Sequence, residues 1–282
     1  MMKKCGTILI ISLLTALFYS CRQERATGNT TPQEAIADAT LTEQQTTAPE
    51  KEFFRICDTL HLAVYDKQSP ALVIEIELED ITLSTPTATA KAISDISYNV
   101  TNEELQSLSE ACNRKVAALR AIYSELSAKY INQRSHNNNP HWLNHTHTIK
   151  GHAEEGYKGF VNYKLDFFEY TGGAHPNSYC IALVFDPADG HEVVLQEIMT
   201  ENYEEPLLAL ITEELKRHFD VTTVEELYNG HLFPDVELYV TNNFILDKEC
   251  ITFIYNRYDI APYAEGEIIL NIEYEKLKHL LK

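Results

Sequence analysis

The residues most suited to chemistry in this 282-residue chain run from Tyr170 to Asn177, as Tyr170-Thr171-Gly172-Gly173-Ala174-His175-Pro176-Asn177. Gly172 and Gly173 permit positive φ angles, so the chain can leave a strand along a sharply curled path. Backbone N–H groups exposed on such a path form a small anion-binding nest. His175 precedes a proline, which biases it to an extended conformation and fixes the direction of its ring. With Asp166 or Glu169, that ring has the parts of an acid–base unit. A loop so built holds one shape, and a held shape serves either a ligand or docking against the second half of the chain. Docking is the commoner use of a shaped glycine loop.

A second group is His136, His141, His145, His147 and His152. On a strand, His145 and His147 share a face, a spacing suited to zinc or copper. No acidic or thiol ligand stands at a supporting interval, and Asn137-Asn138-Asn139-Pro140 reads as loop. These are expected to be surface histidines in a polar connection, with no metal and no cofactor. Trp142, the single tryptophan, is expected to anchor packing rather than present a carbohydrate platform. Tyr258 and Tyr263, near Pro262, either contact a sugar or protein or fill a domain seam. The chain contains no HExxH, no GxSxG, no phosphate-binding Walker loop and no dinucleotide glycine fingerprint. No nucleophile is identified, so no catalytic residue is assigned and an enzyme is not expected. A carboxylate pair has no local spacing, which keeps a hydrolase or deacetylase-like enzyme of envelope polysaccharide as the alternative.

The elements that must hold these groups are of both kinds. Leu72, Ile74, Ile76 and Leu78 alternate with Val73, Glu75, Glu77 and Glu79, the period of a strand with one wet face. Leu60, Leu62 and Val64 suggest its partner across Lys67-Gln68-Ser69-Pro70. Thr101 and Glu104 form a capping box, and Leu105, Leu108, Cys112, Val116, Leu119, Tyr123, Leu126 and Tyr130 then recur at helical spacing. Strands are expected at Phe160–Tyr170 and Tyr179–Phe185, on either side of the glycine loop. Asp186-Pro187-Ala188-Asp189-Gly190 is a tight turn before a short strand, Glu192–Leu195. A helix follows from Glu205 to Phe219 with Pro206 in its first turn, then a short one from Thr223 to Tyr228. Further strands are expected at Leu238–Val240, Phe244–Leu246, Cys250–Tyr255 and Glu267–Ile272, with a closing helix at Tyr274–Leu281. The fold class is α+β, a mostly antiparallel sheet packed with a long amphipathic helix and further C-terminal helices.

Residues 1–20 read as a targeting segment. Lys3 and Lys4 precede a short apolar run, Ile8 to Tyr19, too short to span a bilayer comfortably. It ends in Phe18-Tyr19-Ser20-Cys21, which resembles a bacterial lipoprotein signal. Cleavage there is expected to leave Cys21 acylated as a membrane anchor, the alternative being a simple secretory peptide cleaved nearby. Residues 21–50 are rich in Thr, Gln, Ala and Glu and read as a flexible tether. The chain carries 42 Asp and Glu against 23 Lys and Arg, for a formal net charge of −19. That is a poor match for phosphate contacts, so no nucleic acid is expected; the acidic excess either steers a cationic partner or, more commonly, is only a solvated surface. Cys57, Cys112, Cys180 and Cys250 remain; with no CxxC spacing, they are expected to be buried thiols.

Several of these runs carry a resemblance. Tyr170-Thr171-Gly172-Gly173-Ala174-His175, the following strand, Phe185-Asp186 and Gly190 resemble the junction of a pair of bacterial envelope domains of unknown function. The upstream one is the PdaC-type domain, named for a peptidoglycan deacetylase in which it precedes the catalytic domain. The pair also resembles the outer portion of RsiV-type anti-sigma factors, which sense lysozyme. Tyr258-Asp259-Ile260-Ala261-Pro262-Tyr263-Ala264-Glu265-Gly266 is similar to the second domain's most recognisable run. The ending from Ile272 to Leu281 is similar to its closing helix, with Glu273 where proline is common. The resemblance implies a PdaC-type domain over 51–186 and an RsiV-like domain over 187–282. No deacetylase activity follows, because that belongs to a domain not found here. No cytoplasmic segment precedes the apolar run, so an anti-sigma role is not expected. The reading is a lipid-anchored, non-catalytic envelope protein, periplasmic or surface-exposed, that binds a cell-wall glycan such as peptidoglycan or a lysozyme-like protein. The expected ligand contacts are Tyr170, Thr171, Gly172, Gly173, His175, Asn177, Tyr258 and Tyr263.

Overall fold

The alternation of Leu72, Ile74, Ile76 and Leu78 becomes β2 (Ala71–Glu79), with those four side chains buried. A computed structural model describes residues 53–63, 66, 68–79, 108–133 and 141–282. The antiparallel partner of β2 is β1 (Phe53–His61), which pairs Ile56 with Ile76 and Leu60 with Leu72. The partner expected around Leu60, Leu62 and Val64 thus lies earlier in the chain. The strand ends at His61 because the turn begins there: Leu62 N–H donates to the Pro70 carbonyl at 2.9 Å. Ser69 Oγ donates to the Asp66 carbonyl and accepts from Ala63 N–H. The capping box Thr101–Glu104, residues 1–20 and the tether lie outside the described residues.

Helix α1 (Leu108–Gln133) carries Ala111, Cys112, Val116 and Tyr123 into the same core as β2. The Tyr123 hydroxyl donates to the Leu143 carbonyl at 2.8 Å, so its one polar atom is satisfied inside the core. Strand β3 (His145–Glu155) runs parallel to β2 and antiparallel to β4 (Val161–Tyr170), which pairs in turn with β5 (Asn177–Phe185). The five strands lie in the order β1-β2-β3-β4-β5. The expectation of a polar histidine connection is therefore corrected: His145 and His147 begin the central strand. Their shared face turns inward, with the His145 ring 5.1 Å from that of Tyr123 and His147 buried. Burial, and then the neighbouring His147, pull the His145 pKa below its ordinary value.

After β5 come α2 (Leu195–Ile198), α3 (Glu204–His218), α4 (Val224–Gly230), β6 (Phe244–Leu246), β7 (Cys250–Tyr255), β8 (Ile268–Glu273) and α5 (Tyr274–Leu277). Strands β6, β7 and β8 form a second, antiparallel sheet. Helix α3 has Glu204 and Glu205 in its first turn and Lys216, Arg217 and His218 in its last, complementing the helix dipole. It buries Leu207, Ile211 and Leu215 against the core under β6–β8. Glu214, buried on α3, takes Lys276 Nζ at 2.8 Å and Arg217, which ties α5 to α3. Three short assignments are corrected. Glu192 makes only an isolated bridge to Phe185, so 192–195 is not a strand; Leu238–Val240 lies outside both sheets; α5 stops at Leu277.

The described residues fall in one compact unit, and three asparagines explain how two sheets become one body. Asn162 on β4 accepts from Leu246 N–H and donates to the Leu246 carbonyl, both at 2.9 Å. Asn243 accepts from Ala182 N–H at 2.6 Å and donates to the Cys180 carbonyl at 3.1 Å. Asn256 accepts from Cys180 N–H at 2.7 Å and donates to the same carbonyl at 3.0 Å. Each amide imitates a peptide unit: Asn243 and Asn256 pair the outer edge of β5 without a sixth strand, and Asn162 does the same for Leu246 of β6. Cys180, Ala182 and Ile254 pack beneath these bonds.

Among the described residues, none of the four cysteines forms a disulfide. Burial pushes Cys112 and Cys180 up to about 12, which makes them unreactive. Cys57 is exposed and Cys250 half-buried, correcting the expectation that all four are buried.

Candidate functional site

The register of β3, β4 and β5 sorts their side chains onto two faces. Ile149, Leu165, Phe167 and Tyr179 face α1's core, where the rings of Phe167 and Tyr179 stack 4.6 Å apart at 6°. Thr148, Lys150, Asp166, Phe168 and Ser178 take the opposite face, since Thr148 pairs with Phe168, Lys150 with Asp166 and Phe168 with Ser178. The β6–β8 half covers only the part of this outer face nearest Cys180 and Ala182. Where that cover ends, an open groove of about 340 Å³ remains. Its floor is the outer face of β3–β5, and its wall carries Arg257, just after β7, and Glu267, just before β8.

The groove offers varied chemistry within a short span. Phe168 is 38% exposed although it sits mid-strand. Lys164 and Asp166 form an ion pair at 3.0 Å along β4. Arg257 Nη1 donates to Ser178 Oγ at 2.7 Å, and its guanidinium carbon lies 5.4 Å from the centre of the Tyr263 ring. The wall residue is thus aimed by one hydrogen bond and one cation–π contact.

The glycine loop ends beside this wall. The His175 ring stacks on Tyr263 at 3.9 Å and 23°, and the Tyr263 hydroxyl donates to the Pro176 carbonyl at 3.0 Å. Gly172 has φ +86, as the curled path requires. A side chain there would also collide with the Trp142 carbonyl. Gly173 does not share this geometry; its φ is ordinary and a Cβ would meet nothing closer than 3.8 Å, so the expectation of two positive-φ glycines is corrected to one. Trp142 is corrected as well. Its main chain abuts the loop, while its side chain is 58% exposed and anchors no core.

Tyr258 follows Arg257 and is the outlier of the region. Its φ is +72, which costs a bulky side chain about 1–2 kcal/mol, and 51% of its surface is exposed. The turn is held by Asn256 N–H donating to Asp259 Oδ2 at 2.7 Å and Asp259 N–H donating to the Asn256 carbonyl at 3.0 Å. The ring stands 5.7 Å from Tyr263.

Of the sequence-proposed contacts, His175, Tyr258 and Tyr263 come together in one aromatic cluster. Tyr170 ends β4 opposite Thr146, Thr171 is exposed on the loop, and Asn177 opens β5 opposite Glu169. The His175 acid–base unit is not formed: Asp166 pairs with Lys164, and Glu169 Oε1 lies 3.5 Å from His147 Nδ1. That imidazole holds Glu169 below the usual carboxylate range. Among the described residues, no three His, Cys, Asp or Glu side chains are grouped to hold a metal ion. Sequence reasoning missed Phe168, Lys150, Arg257 and Glu267. Phe168 carried one usable signal, a large apolar residue on the wet side of β4's alternation.

Residues 196–275 match the family model described as "Protein of unknown function (DUF3298)". No curated protein matches the chain. A solved structure of a DUF3298 family member from Bacteroides fragilis NCTC 9343 is 26% identical, with a TM-score of 0.67 over 82% of this chain and 94% of that one. A DUF3298 family protein from Pseudomonas aeruginosa PAO1, 15% identical, shares the fold with a TM-score of 0.54 over 83% of this chain and 95% of that one. The chain therefore carries a DUF3298 domain at its C-terminus, within an α+β architecture shared with solved DUF3298 structures.

Proposed function

We propose that this is a lipid-anchored, non-catalytic envelope protein that binds a cell-wall glycan in the groove over β3–β5. The observation that carries the reading is the composition of that groove: an exposed Phe168 among charged and hydroxyl side chains, in about 340 Å³. Small-ligand pockets start near ~300 Å³. A sugar ring presents a flat apolar patch rimmed by hydroxyls, and an aromatic face ringed by lysine, arginine, serine and carboxylate matches both parts. The resemblance to PdaC-type and RsiV-like domains supports an envelope setting, with acylated Cys21 as the anchor.

The chain from Arg22 onward should be retained by insoluble peptidoglycan and leave it chemically unchanged. Its passage unbound, or release of cleaved or deacetylated sugar, would overturn the reading. For the anchor, Cys21→Ala should move the protein out of the membrane fraction or block its maturation; a processed Cys21→Ala protein still tightly membrane-bound contradicts it.

A cationic, lysozyme-like protein is the second reading, favoured by the acidic balance of 42 to 23. Capture of lysozyme that weakens steeply with salt, with peptidoglycan not retained, would select it over the glycan.

A further inference from the structure

Two cations of the groove make no ion-pair contact among the described residues. Lys150 lies between Glu77 on β2 and Asp166 on β4 in the cross-strand register. Both are already engaged, Glu77 chiefly by Arg55 Nε at 2.7 Å with a weaker pull from Lys150, and Asp166 by Lys164 at 3.0 Å. Arg257 is held through Ser178 and Tyr263, neither of which neutralises it. Among the described residues, neither Lys150 nor Arg257 forms an ion pair. Elsewhere, Arg120, Arg217 and Lys276 each hold a carboxylate. Glu267, the remaining acid of the groove, acts on Lys164 and Cys180.

We infer that the groove takes an anionic sugar, whose carboxylate sits on Lys150 and Arg257 while its ring lies against Phe168. The inference rests on the glycan-binding reading and narrows it. Arg257 is preoriented for such a group, since one side of its guanidinium is fixed by Ser178 and the rest remains available to donate. Lys150, on a long flexible stem, supplies the second charge without a fixed geometry.

The test uses a matched pair, a disaccharide containing glucuronic acid and its neutral glucose counterpart, titrated calorimetrically into the chain from Arg22 onward. The acidic sugar should bind about tenfold more tightly at low salt, as expected for one charge-assisted contact. Lys150→Gln should cut that preference, because one of the two charges that hold the carboxylate is lost; an unchanged preference contradicts the placement. Phe168→Ala should weaken both sugars alike. Retention on peptidoglycan with equal affinity for the two sugars, or with no binding of either, overturns this inference and leaves the glycan reading standing. Failure on peptidoglycan as well removes both.

Discussion

The imidazole of His175 lies 3.9 Å from the ring of Tyr263 and 23° from parallel, joining the loop after β4 to the 3₁₀ turn before β8. One face of each ring is thereby covered by the other. The loop is docked through His175, and the groove beside it is left to Phe168, Arg257 and Lys150. His175→Ala should therefore lower the melting temperature, at a cost of about 0.5–1.5 kcal/mol for a lost ring stack. Glycan affinity should change less than about twofold. Unchanged melting with lost affinity would instead make His175 a ligand contact.

The two loop glycines should behave differently under the same substitution. Gly172→Ala forces a side chain into φ +86 and against the Trp142 carbonyl, and should cost more than about 2 kcal/mol. Gly173→Ala, with an ordinary φ and open surroundings, should cost less than about 0.5 kcal/mol. Urea denaturation of the two variants decides it; equal destabilisation would mean that the curl is distributed over both residues.

The asparagine bridges make a claim about cooperativity. Asn162→Ala leaves both main-chain groups of Leu246 unpaired in the interior, so it should destabilise by about 2–4 kcal/mol. Because the bridge crosses between the sheets, unfolding should remain one transition by tryptophan fluorescence and by far-ultraviolet circular dichroism. Two separated transitions in the wild-type chain would show that the halves fold independently.

The parts of this fold that were legible had local periodicity. β2 alternates four large apolar residues, and α1 repeats them at helical spacing, so each announces its own buried face. β3 does not. Of its inward positions, His147 and Gly151 are polar or small, and Ile149 alone is large and apolar. Gly151 is small because the Tyr163 hydroxyl and Leu78 occupy the space a side chain would need. The need for glycine thus comes from neighbours far away in sequence. The asparagine bridges are hidden for the same reason, since Asn162 and Leu246 meet across 84 residues with no local pattern. The groove draws on three strands and the connection between β7 and β8, and the strain at Tyr258 has no signature in residue type. The loop itself was legible as shaped, and Gly172 was correctly suspected. Which glycine carries the curl depended on where the Trp142 carbonyl lies.

Acid should loosen the start of α4 through one carboxylate. Glu226 accepts from Thr222 N–H at 2.8 Å, Thr223 N–H at 2.9 Å and Thr222 Oγ1 at 3.0 Å, and these bonds hold its pKa at about 2 against an ordinary 4.5. The folded pKa lies below the unfolded one, so the unfolded chain binds more protons in this window. The contribution is complete above pH 4.5 and is lost as the pH falls towards about 2. Glu226→Gln should therefore be less stable than wild type at neutral pH and approach it near pH 2. A constant gap between the two proteins across that range would contradict the assignment.

The central claim is that the outer face of β3–β5 is a glycan-binding site, and Phe168→Ala tests it most directly. Phe168 is exposed and packs in neither large core, so the variant should melt within about 2 °C of wild type. Its affinity for solubilised peptidoglycan fragments, measured by calorimetry on the chain from Arg22 onward, should fall about tenfold through the lost aromatic face. Unchanged affinity in a fully folded Phe168→Ala variant would contradict the account.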